Sequence, residues 1–515
     1  AQNEVYTGDP GSYVRTLERW ESADPKSLRA TARKWMAQGK YVMEVLPFED
    51  YATSEDTSDR SRLPALGTAP VVSFDKFEKT VLSNGLKIIL AERNAIPVVN
   101  LRLMVGAGYS SDDLAARGTA KLAMTMLIEG TRNRTGLAIS DELQDLGATL
   151  NVTQSLDVSN VSMSALTENL DTSLELFADV VLNPAFPEAD HARTRNLQLA
   201  AIEQERVSPF GIALRVFPRY MYGEDHAYAL PFSGSGTITS VSAITTDALR
   251  TFHENWFKPN NATLVIVGDT NLDVITPKLE KLFAAWQPGR VPEKNIATVA
   301  LPEKAAVYLI DRPGSGQSMI LAGHLVPAKN DPVEAALDTA NNILGGSFNS
   351  RMNMNLREDK HWSYGARTQL VNTSAQRPML VTTQVQTDKT SESLVEIKKE
   401  LSIIKDAKPP SAEELAQAKN RKTLTLPGRW ETANAVLGSL AEMVQFGYPD
   451  DYWDAYSENA RALQLETVRD AAADHIKPDR MIWVVVGDLE KIEAGIRALN
   501  LGDVIQVDAD GNPVR

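Results

Sequence analysis

Arg357 stands seven residues before Tyr364 in the stretch 345–370, GGSFNSRMNMNLREDKHWSYGARTQL. A guanidinium offers fixed donors to a carbonyl or to developing negative charge, and a phenol hydroxyl can donate from the same side. What matters is whether the local elements bring the two together. Asp331, Pro332 and Glu334 read as an N-cap, a first helical proline and an N3 acid. Val333, Ala336, Leu337, Ala340, Ile343 and Leu344 then recur at helical spacing, and Gly345–Gly346 is expected to end that helix by taking a positive φ. Phe348, Met352 and Leu356 recur four apart, which predicts a second short helix over 348–359 with Arg357 in its last turn. His361–Gly365 reads as a turn and Ala366–Leu370 as the start of a strand. Arg357 and Tyr364 would then face one cavity. The plainer reading has Arg357 capping or salt-bridging the helix end and Tyr364 half-buried as packing; residue types alone leave both open.

Other chemistries find less support. The histidines are at 191, 226, 253, 324, 361 and 475, no two within four residues, so no short helical motif starts a metal site. No Gly-x-Ser-x-Gly elbow lies between a strand and a helix. Gly314–Ser315–Gly316 follows a strand at 307–311 but lacks the downstream Lys-Ser/Thr of a phosphate loop, so a tight turn accounts for it. Lys121 sits on a predicted helix, 120–128, beside Ala120, Leu122, Ala123 and Met124, where a snorkelling surface lysine is expected rather than a buried base.

The composition bounds the class. The chain has 515 residues, 43% apolar and 23% charged, enough for two to four well-cored domains. Lys plus Arg number 53 against 67 Asp plus Glu, a formal charge of −14, which argues against a general nucleic-acid binder. No run of 18 apolar residues appears. The absence of cysteine excludes disulfides, thiolate metal sites and thiol nucleophiles, and suits periplasm and cytosol equally. The start, Ala1–Gln2–Asn3–Glu4, carries no basic-then-apolar signal, so any targeting peptide is expected to have gone.

Strands and helices segregate rather than alternate strictly, which argues for an α+β layer structure. Residues 242–268 read as helix, Pro-Asn turn and strand, and 465–487 repeat the plan. Residues 23–46, with helical turns over 12–37 and a strand at Tyr41–Leu46, read as a third copy, followed by a linker-like stretch at 52–70. If this module closes each unit, the chain holds the closing module of one unit with its linker (1–73), a whole unit (74–285), a linker (286–302) and a second whole unit (303–515). Such a chain is expected to be the back part of a longer polypeptide or half of a non-covalent assembly; the alternative is that 1–50 merely decorates a flank.

Residues 81–130, VLSNGLKIILAERNAIPVVNLRLMVGAGYSSDDLAARGTAKLAMTMLIEG, resemble the opening of the pitrilysin-type M16 metallopeptidases, a family that includes the mitochondrial processing peptidase and the bc1 core proteins. Active members carry His-x-x-Glu-His there, two zinc ligands bracketing the carboxylate that activates water, with a later glutamate as third ligand. Here those five positions hold Lys121, Leu122, Ala123, Met124 and Thr125, so the resemblance implies a degenerate zinc motif, with Glu203 and Glu205 near the late glutamate. Gly345–Gly346, Ser350–Arg351 and Leu356–Arg357–Glu358 resemble the segment by which the non-catalytic half presents an arginine and a tyrosine to substrate, and Arg357 and Tyr364 match it. The resemblance implies two tandem M16-like (LuxS/metallohydrolase-like) domains forming half or all of a clam shell. This chain would be the substrate-gripping half, binding no metal and having no catalytic residue of its own. A zinc-bearing M16 partner, or the front half of the same precursor, would complete the peptidase. The alternative is a structural protein of the bc1 core type. A periplasmic or secreted location is expected, otherwise a soluble cytoplasmic one.

Overall fold

The runs ATLVIVG (262–268) and IWVVVG (482–487) are apolar at nearly every position, the composition of strands covered on both faces. The computed structural model, which describes residues 2–37, 39–40, 42–44 and 72–514, puts each at the centre of a six-stranded sheet. The first sheet comprises β1 (Glu78–Val81), β2 (Lys87–Glu92), β3 (Val98–Val105), β4 (Thr149–Gln154), β5 (Ser159–Leu166) and β6 (Ala262–Gly268), in the order β1-β2-β6-β3-β5-β4. The second comprises β7 (Ala306–Asp311), β8 (Gln317–Val326), β9 (Ser363–Leu370), β10 (Arg377–Gln386), β11 (Ile482–Gly487) and β12 (Asp503–Gln506), in the order β12-β7-β11-β8-β10-β9. β6 runs parallel to β2 and antiparallel to β3, and β11 relates in the same way to β7 and β8. From that parallel pair to the free edge, β4 in one sheet and β9 in the other, the two follow one topology.

Each sheet has an inner face packed on helices of its own half. Val99, Leu101, Leu103 and Val105 of β3 are all fully buried there, with Leu264 and Ile266 of β6; the four recur at every second position in the sequence, which by itself predicts a strand with one apolar face. The outer faces are covered by exchange. The helix Pro209–Tyr222 lays Ile212, Val216 and Phe217 on Ile310, Leu321 and Val484 of the second sheet. The helix Ala433–Phe446 lays Val436, Leu440 and Met443 on Ile89, Met104 and Val265 of the first.

The chain divides into two compact units, Ala1–Gly67 and Thr68–Arg515, and all of the above belongs to the second. In the first, the predicted helical stretch is two helices, Ser12–Glu21 and Pro25–Trp35, with a further helix at Gln2–Thr7. Asp24 caps Pro25–Trp35, accepting from the Lys26 and Ser27 N–H groups at 2.7 and 3.0 Å. Leu28 and Trp35 lie seven apart, as do Leu249 and Trp256 of the helix Thr246–Trp256; the second pair is buried, whereas Leu28 and Trp35 are 60% and 72% exposed. Of the strand expected at Tyr41–Leu46, residues 42–44 have no regular structure and Tyr41, Val45 and Leu46 lie outside the described residues, as does the stretch 52–70.

Candidate functional site

The stretch around Arg357 departs from its predicted elements in ways that build a groove. Helix Glu334–Leu344 begins later than expected: Val333 is its N-cap, and the Asp331 carboxylate accepts from the Val333 N–H at 2.9 Å. The Glu334 carboxylate pairs with Lys329 and Arg377 instead of closing a capping box. Gly345 ends the helix at φ −159° and ψ −2°, not in the expected left-handed turn. Glycine is needed there for proximity, since a Cβ would sit 2.6 Å from the Thr368 nitrogen, and the Thr368 N–H donates to the Gly345 carbonyl at 3.0 Å. The helix end is thereby fastened against β9.

The predicted helix 348–359 is shorter and changes pitch. One helical turn, Arg351–Asn353, passes into a π-helical turn, Met354–Asp359. Met352 and Leu356 are fully buried as their spacing requires, but Phe348 lies before the helix and is 61% exposed. Arg357 sits within the π-helical turn, a local widening often found at functional sites. His361 follows with φ +56°, its Nδ1 at 3.1 Å from the Arg357 carbonyl, so the chain is turned sharply where it leaves Arg357 for β9.

Tyr364 belongs to β9 rather than to the turn before it. Ala366, Thr368 and Leu370 point inward and are buried, so strict alternation would send Tyr364 inward too. The register slips between Thr383 and Val385 of β10, which pair with Ala366 and Ser363, leaving an extra residue in β9. This β-bulge turns Tyr364 to the outer side with Arg367 and Gln369, where its side chain is 89% exposed.

Asn353, a residue that spacing did not single out, joins the two segments. It is 5% exposed; its Nδ2 donates to the Phe348 carbonyl at 2.7 Å and its Oδ1 accepts from the Ala366 N–H at 3.1 Å. The Arg357 guanidinium lies between two rings, 4.6 Å from the Phe348 centroid and 5.1 Å from that of Tyr364. Its Nε is 3.2 Å from Glu358 Oε1, and its terminal nitrogens have no protein partner among the described residues. Arg357 and Tyr364 thus do face one cavity, an open groove of about 830 Å³ along the free edge of β9, closed at one side by Phe210 of the helix Pro209–Tyr222. The plainer reading holds in part for Arg357, which keeps a salt bridge to Glu358 at the helix end, and not for Tyr364, which is exposed rather than half-buried.

The corresponding place beside β4 in the first sheet is filled. Helix Thr119–Met126 carries Lys121, and the ammonium donates to the Ser233 carbonyl at 3.0 Å. The surface position expected for this lysine is therefore corrected: it is partly buried, and burial holds its pKa below the ordinary lysine value, opposed by the charge of Glu205. Met124 is 2% exposed in the core, and Thr125 donates its hydroxyl to the Lys121 carbonyl at 2.9 Å. Glu205 accepts from Arg215 at 2.8 Å and from the Ser235 hydroxyl at 2.7 Å, while Glu203 lies outside, paired with Arg206. A zinc ion does not fit these groups, because a guanidinium and a hydroxyl already occupy the one inward carboxylate and a lysine stands where a ligand would be needed. Among the described residues no three His, Asp or Glu side chains converge on a point.

Two of the buried histidines have structural partners. His253 Nε2 is 2.8 Å from the Val181 carbonyl, and His324 lies between the Leu325 carbonyl and the Lys477 N–H, each at 3.1 Å. Burial lowers both to a pKa of about 4.

Two family models match this chain, "Insulinase (Peptidase family M16)" over residues 87–211 and "Peptidase M16 inactive domain" over residues 243–422. The chain belongs to the M16 metallopeptidase family and contains its inactive domain. It is 23% identical over 290 residues to an uncharacterised zinc protease of Mycobacterium leprae, a match taking in 56% of this chain and 64% of that protein's length. A crystal structure of a peptidase M16 inactive domain from Pseudomonas fluorescens superposes with a TM-score of 0.75 at 27% identity, over 80% of this chain and 98% of that one. A chain of Complex III2 from Candida albicans shares the fold at a TM-score of 0.66 and 16% identity, over 82% of this chain and 99% of that one.

Proposed function

We propose that this chain is the substrate-gripping half of a zinc metallopeptidase and that a zinc-bearing M16 partner, or a front half of the same precursor, supplies the metal. The observation that carries the reading is the contrast between a place beside β4 occupied by Lys121 and Arg215 and a groove along β9 that holds Arg357 beside Tyr364 with open terminal nitrogens. The guanidinium would donate to a backbone carbonyl of a bound peptide and to the negative charge that grows on it during cleavage, and the Tyr364 hydroxyl would donate alongside. Neither residue moves a proton in this scheme; both hold and orient. The tandem arrangement, 74–285 and 303–515 joined by 286–302, is supported by the shared strand order, and the closing-module reading of 1–73 by the common spacing of Leu28 with Trp35 and Leu249 with Trp256. A periplasmic or secreted site is part of the proposal, and fractionation of cells carrying a tagged chain tests it.

Complexes captured with the chain from its source cell should contain zinc on a second polypeptide and cleave unstructured peptides. Arg357→Ala should lower that turnover by roughly 10²-fold, the size expected for one lost oxyanion donor. Unchanged turnover would sink the reading. The likeness to a Complex III2 chain favours one other possibility, a purely structural role, and a captured partner that also lacks the zinc motif would select it.

A further inference from the structure

The groove along β9 is chemically one-sided. Although the chain carries 67 Asp and Glu residues, none lines the groove, whereas Arg357 and Arg367 both do. Arg367 is exposed on the outer side of β9, the side to which the bulge also turns Tyr364, and its guanidinium has no ion pair or hydrogen bond among the described residues. Arg357 has Glu358 at its Nε and two aromatic rings against its faces, which dispose it toward a backbone carbonyl. Arg367 has none of these, and its charge is uncompensated.

We propose that Arg367 is a specificity-determining residue and that the groove takes acidic peptides, with a Glu or Asp side chain of the peptide accepted by the Arg367 guanidinium. Arg–carboxylate pairing can be bidentate, and a groove without competing acids leaves the pairing to the ligand. Arg367 lies three residues after Tyr364 in β9, at most about 10 Å away at the rise of an extended chain. An extended peptide held at one carbonyl by Arg357 and Tyr364 therefore brings a side chain about three residues away to Arg367. The inference rests on the peptide-gripping reading of the groove and adds the charge of what is gripped.

The test is fluorescence anisotropy with the full chain and a short labelled peptide of Ala, Ser and Leu, into which one Glu is walked through successive positions. The uncharged parent peptide should bind and should weaken in Arg357→Ala, which tests the gripping reading alone. One window of Glu positions should bind about fivefold more tightly than the parent at low salt, with the gain shrinking at high salt, as for a partly exposed ion pair. Lys in that window should bind more weakly than the parent. Arg367→Gln should abolish the difference between Glu and Lys, and Arg367→Glu should reverse it. If the parent binds and all charged versions match it, or if Arg367→Glu leaves the preference as it was, the inference is overturned while the gripping reading stands. If no peptide binds, both fall.

Discussion

The edges of the two sheets begin from one topology and end as different surfaces. Beside β4, the carboxylate of Glu205 is held by Arg215, whose side chain is 3% exposed, and by Ser235, with Lys121 donating to the chain nearby. Beside β9, Arg357 and Tyr364 reach into a groove and spend little on the protein itself. The charged groups in the first place are paired internally and cannot be recruited without breaking those pairs, whereas those in the second are held by stacking and remain available. A shared strand order thus fixes where a site can form and leaves open whether one does.

Mutating the two arginines should separate these roles. Arg215→Ala should destabilise the chain by about 3 kcal/mol in chemical denaturation, because it strands Glu205 against a buried wall. Arg215 is the most costly of these changes, and a loss below 1 kcal/mol would mean that the first place is less tightly closed than its contacts imply. His324 should impose a pH dependence of similar size. Its folded pKa of about 4 lies below the unfolded value near 6.5, so between these the unfolded chain binds more protons and stability falls as the pH drops from about 6.5 to 4. That is about 3 kcal/mol for the full shift, constant above the window; His253 shifts to the same value, so His324→Gln should remove about half of the fall in melting temperature across it and the double change with His253→Gln most of the rest. Asn353→Ala should cost about 1–3 kcal/mol and also weaken peptide binding, since it unties Phe348 from β9. Arg357→Ala should change stability by no more than about 0.5 kcal/mol while still abolishing most of the grip; a large loss of stability would erase the distinction between the two places.

Much of this arrangement was legible in the sequence. The repeated helix, turn and apolar run predicted the central strands because covering on both faces demands continuous apolar residues, and the period of β3 predicted its inward residues. What the sequence did not reveal lies where backbone geometry departs from a period. The β9 bulge redirects Tyr364 against strict alternation, the π-helical turn changes the pitch beneath Arg357, and Gly345 serves a close approach instead of a left-handed turn. Asn353 went unnoticed because nothing distinguishes a structural amide from a surface one until its two partners are known. The partial burial of Lys121 is hidden in the sequence for a related reason: its acceptor, the Ser233 carbonyl, is 112 residues away.

The exchange of covering helices has a mechanical consequence. Residues 209–222 shield the second sheet, and residues 433–446 shield the first, so each half wears a piece of the other. Hydrolysis of a single peptide bond within 287–298 would not set the halves adrift: the nicked product should sediment as one body and melt in one step.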